Sequence, residues 1–146
     1  AGSEFTVFKM DSILFSNLIC YESSHPEVAR GFVQNGARFL TIEANDAWLR
    51  NSSGVRQHFE LARLRAVELR TGIVRSANTG ISGIIYPSGK VEKSIPFGEQ
   101  AVFKGKVPLR SSMTFFALYG SVFAQICLII TLVQIVWLIK RLNSSS

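Results

Sequence analysis

The chain is 146 residues long, 47% hydrophobic, with a formal net charge of +6 and a pI near 9.8. That length fits a single domain. The arginines (Arg30, Arg38, Arg50, Arg56, Arg63, Arg65, Arg70, Arg75) are dispersed rather than blocked, which argues against nucleic acid as a partner and leaves a solvated mixed-charge surface or attraction to anionic lipid headgroups. The two cysteines, Cys20 and Cys127, give no disulfide framework. Neither metal-ligand spacing nor a glycine-rich phosphate loop is present, so no metal and no cofactor are expected.

The sequence starts at Ala1, and Gly2-Ser3-Glu4-Phe5 reads equally as a cloning scar or as native. The chain is expected to be the C-terminal piece of something longer. Ile13 to Ile19 is a short apolar run that predicts a buried strand. Ser24-His25-Pro26-Glu27 has the form of a capping box with proline in the first turn. It predicts a helix to about Gln34, stopped by Asn35-Gly36. Phe39 to Ile42 predicts a second strand. Residues 45–54 are polar and irregular apart from Trp48 and Leu49, and Asn51-Ser52-Ser53 is a weak glycosylation sequon. Val55, Phe59, Ala62, Ala66 and Leu69 recur on one helical face and predict a helix from about Val55 to Arg70, ended by Gly72. Ile73 to Ala77 and Ile81 to Tyr86 predict strands, Pro87-Ser88-Gly89-Lys90 a hairpin turn, and Val91 to Ile95 its return strand. Val102 to Val107 predicts a last strand. The order is β-α-β-α-β-β-β-β, an α/β layered arrangement.

Residues 111–139 contain no charged side chain, and Phe115 to Ile139 predicts one helix. At 1.5 Å per residue it spans roughly 37 Å, enough for a hydrocarbon core of about 30 Å. Trp137 suits the interface, and Lys140-Arg141 places the C-terminus in the cytoplasm by the positive-inside rule. Gln125 and Gln134 mark a side facing other membrane helices. The domains are therefore residues 1–110, extracytoplasmic; 111–141, transmembrane; and 142–146, a cytoplasmic tail.

The loops leaving the carboxyl ends of the first three strands hold Cys20-Tyr21-Glu22, Asn45-Asp46-Ala47-Trp48 and Asn78-Thr79-Gly80. Open α/β sheets gather ligands there. Cys20 is a free thiol. It reads as a nucleophile if a base and an oxyanion stabiliser accompany it, or as a small buried hydrophobe. His25 or His58 could complete a Cys–His dyad, although neither carries the flanking signature of a thiol protease.

The ordered set Leu18-Ile19-Cys20-Tyr21-Glu22, Asn45-Asp46-Ala47-Trp48, Gln57-His58-Phe59, the helix through Arg63, Arg65 and Glu68, Arg75 to Ser82, and the closing apolar helix resembles the C-terminal part of the apolipoprotein N-acyltransferases. These are bacterial membrane enzymes of the nitrilase superfamily. The resemblance covers roughly Phe5 to Arg141. It implies part of an α-β-β-α sandwich seated on membrane helices, and a Glu-Lys-Cys triad in which Cys20 is the nucleophile. It also implies a ping-pong reaction in which an acyl chain passes from a phospholipid donor, through a Cys thioester, to the N-terminal amine of a diacylated lipoprotein acceptor. Glu22 carries over as a catalytic-site residue that anchors the site by hydrogen bonding, and Tyr21, Asn45, Trp48 and Asn78 as residues lining it. The implied location is the bacterial inner membrane, with the catalytic domain on the periplasmic side.

Two departures stand out. Nothing upstream of Cys20 matches the Glu and Lys of the triad, since Glu4 and Lys9 lie in the wrong context, so this length of chain alone is expected to be inactive and to expose the apolar faces of an incomplete sheet. The family also carries Phe-Gly after the tryptophan, where this chain has Leu49-Arg50. The alternatives are a membrane-anchored amidase that gives the acyl group to water, and a non-catalytic anchored domain in which Cys20 is merely buried.

Overall fold

The computed structural model describes residues 4–50 and 53–143. The elements are β1 (Phe8–Met10), β2 (Ile13–Ile19), α1 (Pro26–Gln34), β3 (Phe39–Ala44), α2 (Ser53–Leu69), β4 (Gly72–Ala77), β5 (Ser82–Ile85), β6 (Val91–Ile95), α3 (Phe115–Tyr119) and α4 (Val122–Asn143), with 3-10 turns at Cys20–Ser24 and Ala47–Leu49. The strands form one six-stranded sheet in the order β1-β2-β3-β4-β5-β6. Strands β2, β3 and β4 are parallel, with Leu18 opposite Ile42 and Ile42 opposite Arg75. Strands β1, β5 and β6 extend this core antiparallel on either side.

Side chains alternate across a strand, and that alternation makes the layer. Leu18, Leu40, Ile42, Ile73 and Ile85 pack with Ala29, Phe32 and Val33 of α1 and with Phe59, Ala62, Ala66 and Leu69 of α2 in one buried cluster. Each fully buried leucine or isoleucine in it contributes about 1.5–3 kcal/mol. The other face carries a ladder of rings, Phe8 tilted on Phe15 and Phe15 stacked on Phe39. Beside them Asn17, Thr41, Glu43 and Val74 line an open groove of about 430 Å³. One helix-covered sheet with a bare second face is one α-β half of the expected sandwich.

Several expectations need correction. Residues 102–107 form no strand and Val102 is fully exposed; the sixth strand is β1, at the opposite edge. The first residue before α1 is His25, without a side-chain cap, because Ser24 is consumed by the preceding 3-10 turn and Glu27 pairs with Arg30 at 2.7 Å. Helix α2 ends before Arg70, which itself takes φ 48°. Gly72 instead starts β4, where a Cβ would lie 2.5 Å from the Pro108 carbonyl oxygen. Of the sequon, Asn51 and Ser52 lie outside the described residues.

The apolar C-terminal run is two helices, not one. Gly120, at φ 69°, separates α3 from α4. The connection from β6 passes the amino ends of the parallel strands, where the Arg110 N–H donates to the Arg38 carbonyl at 2.7 Å. Thr114 then donates to the Glu68 carbonyl at the end of α2. From α1, Gln34 Nε2 and Arg30 Nε donate to the Ala117 carbonyl at 2.9 and 3.1 Å, and Arg30 Nη2 to that of Leu118 at 3.1 Å. Cationic and amide donors thus cap the carbonyls that α3 leaves open. Glu27 and Arg30 flank Gly120, so α3 climbs alongside α1 from the amino toward the carboxyl end of the sheet. Helix α4 leaves beside the first turn of α1. Its 22 residues have a mean hydropathy of 2.5 in the most apolar window and none of that window is buried; it is long and apolar enough to cross a membrane.

Candidate active site

Cys20 is the first residue after β2 and adopts φ 51°, a left-handed conformation that costs a non-glycine residue about 1–2 kcal/mol. Strain of this kind persists only where neighbours over-determine it, and here they do so from both sides. The Ile19 N–H, just before the cysteine, donates to Glu22 Oε2 at 2.8 Å. Behind it, the Cys20 carbonyl accepts from Ser23 Oγ at 2.8 Å, with His58 Nε2 at 3.2 Å. The chain therefore turns sharply from strand to 3-10 turn and lifts the thiol to the carboxyl edge of the sheet. Cys20 is half-buried, its sulfur 3.9 Å from the Asn45 carbonyl oxygen.

A buried polar cluster stands behind this elbow. Asp46 follows β3, His58 lies in the second turn of α2, and Arg75 is on the helix-facing side of β4. His58 Nδ1 donates to Asp46 Oδ1 at 2.7 Å and Arg75 Nη2 donates to Asp46 Oδ2 at 2.8 Å. The Asp46 and Arg75 side chains are wholly buried and that of His58 nearly so. Burial pulls the Arg75 guanidinium below its ordinary value, and the Asp46 carboxylate opposes that shift. Arg75 Nε also donates to the Ile81 carbonyl at 3.2 Å. The cluster therefore ties together the ends of β2, β3 and β4 and the start of α2. Gly80 is there by necessity, because a Cβ at that position would overlap Asp46 Oδ2.

The expected site residues fall as follows. Asn45 Oδ1 accepts from the Ala47 N–H at 3.2 Å and from Asn78 Nδ2 at 3.1 Å, so Asn45 and Asn78 close the loop opposite the thiol. Tyr21 stands 57% and Trp48 63% exposed, with the Tyr21 ring edge-on to His25 and tilted over His58. Both line a groove of about 220 Å³ that runs toward Gln57 and Leu61. On the other side of Tyr21 a larger groove, about 540 Å³, reaches Cys20 and Glu22 and has Ile19, Val28 and Phe32 for apolar walls. Arg50 sits where the resembled family has glycine and takes φ 52°, so the loop keeps a backbone that glycine would adopt without strain.

The Cys–His dyad is not formed. His58 faces the backbone carbonyl of Cys20, and His25 meets the Tyr21 ring edge-on. Arg75 and Ser23 emerge as parts of the site that the sequence did not single out, and Asp46, expected only as one residue of the loop after the second strand, enters it as the buried partner of His58 and Arg75. A signal existed for His58: it lies three residues after Val55, on the apolar stripe of α2, where a polar side chain needs a buried partner.

Residues 1–112 match the carbon-nitrogen hydrolase family. The chain is similar to apolipoprotein N-acyltransferases of Geobacter metallireducens (42% identical over 110 residues, 75% of this chain and 21% of that protein) and of Thermotoga maritima (33%, covering 92% and 27%). It is also similar to apolipoprotein N-acyltransferase 2 of Treponema denticola (33%, covering 96% and 28%). The chain thus spans about a quarter of the length of these relatives. Among solved structures, the fold is shared with a carbon-nitrogen hydrolase of Helicobacter pylori (TM-score 0.61, 13% identity, 68% of this chain and 42% of that one). Nit3 of Saccharomyces cerevisiae, a member of the nitrilase superfamily, shares it too (TM-score 0.57, 23% identity, 68% and 39%). With the nitrilase-like half-sandwich and the matched residues taken together, the chain belongs to the carbon-nitrogen hydrolase family.

Proposed function

We propose that the whole protein to which this chain contributes is a phospholipid–apolipoprotein N-acyltransferase with Cys20 as its nucleophile. The thiolate attacks the ester carbonyl of a phospholipid. The tetrahedral intermediate collapses to a thioester and the lysophospholipid alkoxide leaves with a proton. The N-terminal amine of a diacylglyceryl-cysteine lipoprotein then attacks the thioester, forming an amide and returning the proton to sulfur. Glu22 fixes the elbow through Ile19, Ile19, Val28 and Phe32 offer the acyl chain an apolar wall, and Tyr21, Trp48, Asn45 and Asn78 shape the approach. The resemblance assigns deprotonation of the thiol to a glutamate upstream of the cysteine in the whole protein.

The observation that carries this reading is positional. The half-exposed thiol sits at the end of the domain from which the membrane-crossing helix leaves, so an ester at the bilayer surface is within its reach. The relatives this chain resembles are N-acyltransferases by name, which supports the same chemistry. Lys140 and Arg141 close α4, with Arg141 over the Trp137 ring at 5.4 Å, which favours a cytoplasmic C-terminus and a periplasmic site on an inner membrane.

The test is intact-mass spectrometry of the whole protein incubated with phospholipid and no acceptor. The expected result is a mass increase of one acyl chain, lost with hydroxylamine and absent in Cys20→Ser. Released fatty acid without an adduct, independent of any amine, would replace the transferase by an amidase-like hydrolase. Wild-type turnover by Cys20→Ser would leave the thiol a structural residue.

A further inference from the structure

We propose that His58 is a positioning residue that aims the Cys20 thiol by holding the carbonyl of the same residue; the proposal rests on the nucleophilic role of Cys20. The argument starts from the strain at the elbow. A left-handed cysteine relaxes to an ordinary backbone unless the chain is held on both sides of it. Upstream, Glu22 holds the Leu18–Ile19 peptide through the Ile19 N–H, one peptide away from Cys20, and that carboxylate sits on the exposed side. The trailing peptide is fixed from inside the domain, by Ser23 Oγ at 2.8 Å and His58 Nε2 at 3.2 Å from the Cys20 carbonyl oxygen. Ser23 belongs to the same turn and moves with it. His58 does not: it stands on α2, in the core, and is the external post against which the turn is registered.

The ring is itself fixed. Its Nδ1–H donates to Asp46, whose second oxygen is held by Arg75; because the Cys20 carbonyl is also an acceptor, Nε2 holds it by donating a second N–H, so the ring that braces the elbow is the doubly protonated imidazolium, oriented by the Asp46 carboxylate. Ser23 Oγ lies 3.2 Å from Nε2 and completes the cluster. No atom of His58 needs to touch substrate. Its effect on the reaction passes through the backbone of Cys20, so losing it shifts the sulfur rather than the affinity for lipid. A displacement of about 1 Å of a reacting atom costs on the order of 100-fold in rate.

The experiment measures single-turnover thioester formation in the whole protein across a phospholipid series, with wild type, His58→Phe, His58→Leu and His58→Gln. Phenylalanine keeps the packing and removes the hydrogen bonds to Asp46, Ser23 and the Cys20 carbonyl; glutamine retains an amide that can donate to the carbonyl. We expect the saturating acylation rate of His58→Phe to fall about 100-fold with the half-saturating lipid concentration within about two-fold of wild type, and His58→Gln to recover about a tenth or more of the rate. A wild type that forms no thioester refutes the functional reading. A wild type that forms it while His58→Phe or, should that variant not fold, His58→Leu forms it equally fast refutes the positioning role. So does a loss that appears entirely in lipid affinity.

Discussion

Replacing Gly80 by alanine tests the buried cluster without touching any polar group. Gly80 has no positive φ, so alanine's backbone is allowed there. The added methyl, however, occupies the space of Asp46 Oδ2, with Asp46 Cγ and Cβ at 2.7 and 2.8 Å. Backbone of β3 and of the loop after β4 confines both partners, so Asp46 must swing off Arg75. Both side chains are 0% exposed. Separating a buried pair leaves uncompensated charge in the interior, at about 3–5 kcal/mol. For a domain of about 150–250 residues each kcal/mol lowers the melting temperature by about 2–4 °C, so the Gly80→Ala variant of the whole protein in detergent should melt about 6 °C or more below wild type. Gly98→Ala supplies the contrast. Nothing lies within 4 Å of its Cβ, but its φ is 76°, and the cost should stay near 1 kcal/mol. If Gly80→Ala melts within about 1 kcal/mol of wild type, the cluster is slack and does not brace the elbow.

Other expectations follow from the same contacts. Glu22→Gln weakens the acceptor of the Ile19 N–H; thioester formation should slow by about ten-fold while stability changes by less than about 1 kcal/mol, and an unchanged rate would show that the outer clamp is dispensable. Arg30→Ala removes the donors to Ala117 and Leu118. Amides of α3 should then exchange faster, and protease should cut at Gly120-Ser121 before the domain unfolds; unaltered exchange would mean that Gln34 and Thr114 suffice. Burial pushes the Glu68 carboxyl above its ordinary range, with Arg65 acting the other way. A raised folded value means the native state binds more protons than the unfolded chain just above the ordinary carboxylate range. The stability Glu68 provides is therefore complete below its unfolded value and lost as pH rises through the folded one. Melting of wild type relative to Glu68→Gln should fall as pH rises through that window, and a rise would reverse the assignment.

Periodicity made most of the layer legible. Ile13 to Ile19, the helix before Asn35-Gly36, and the hairpin around Pro87 to Lys90 lie where local pattern put them, because each buries a face that its own spacing announces. Strand β1 escaped because its three residues are exposed and are held mainly by backbone pairing. Residues 102–107 misled because Val102 and Val107 favour strands while the segment lies against Ile84 of β5 and Lys93 of β6 instead of pairing with the outer edge of β6; at Gly105 a side chain would strike Ile84. The break at Gly120 was hidden by apolar residues on both sides. At the site, Cys20 at a strand end could be read directly, and the left-handed backbone that presents it could not. The bonds that join Asp46 to His58 and Arg75 run between separate elements and leave no trace in local spacing.

The strictly sequential strand order bears on how the molecule is made. Each strand of the sheet pairs with its immediate predecessor in the chain, so the ladder grows in the direction of synthesis and no early strand waits for a late one. Such local pairing favours rapid assembly, and domains generally fold as units during translation. By the time α3 emerges, its docking seat between Arg30, Gln34 and the end of α2 already exists. The domain therefore registers α4, rather than the reverse: the point at which α4 leaves the sheet is set by contacts of α3 that exist before α4 is complete.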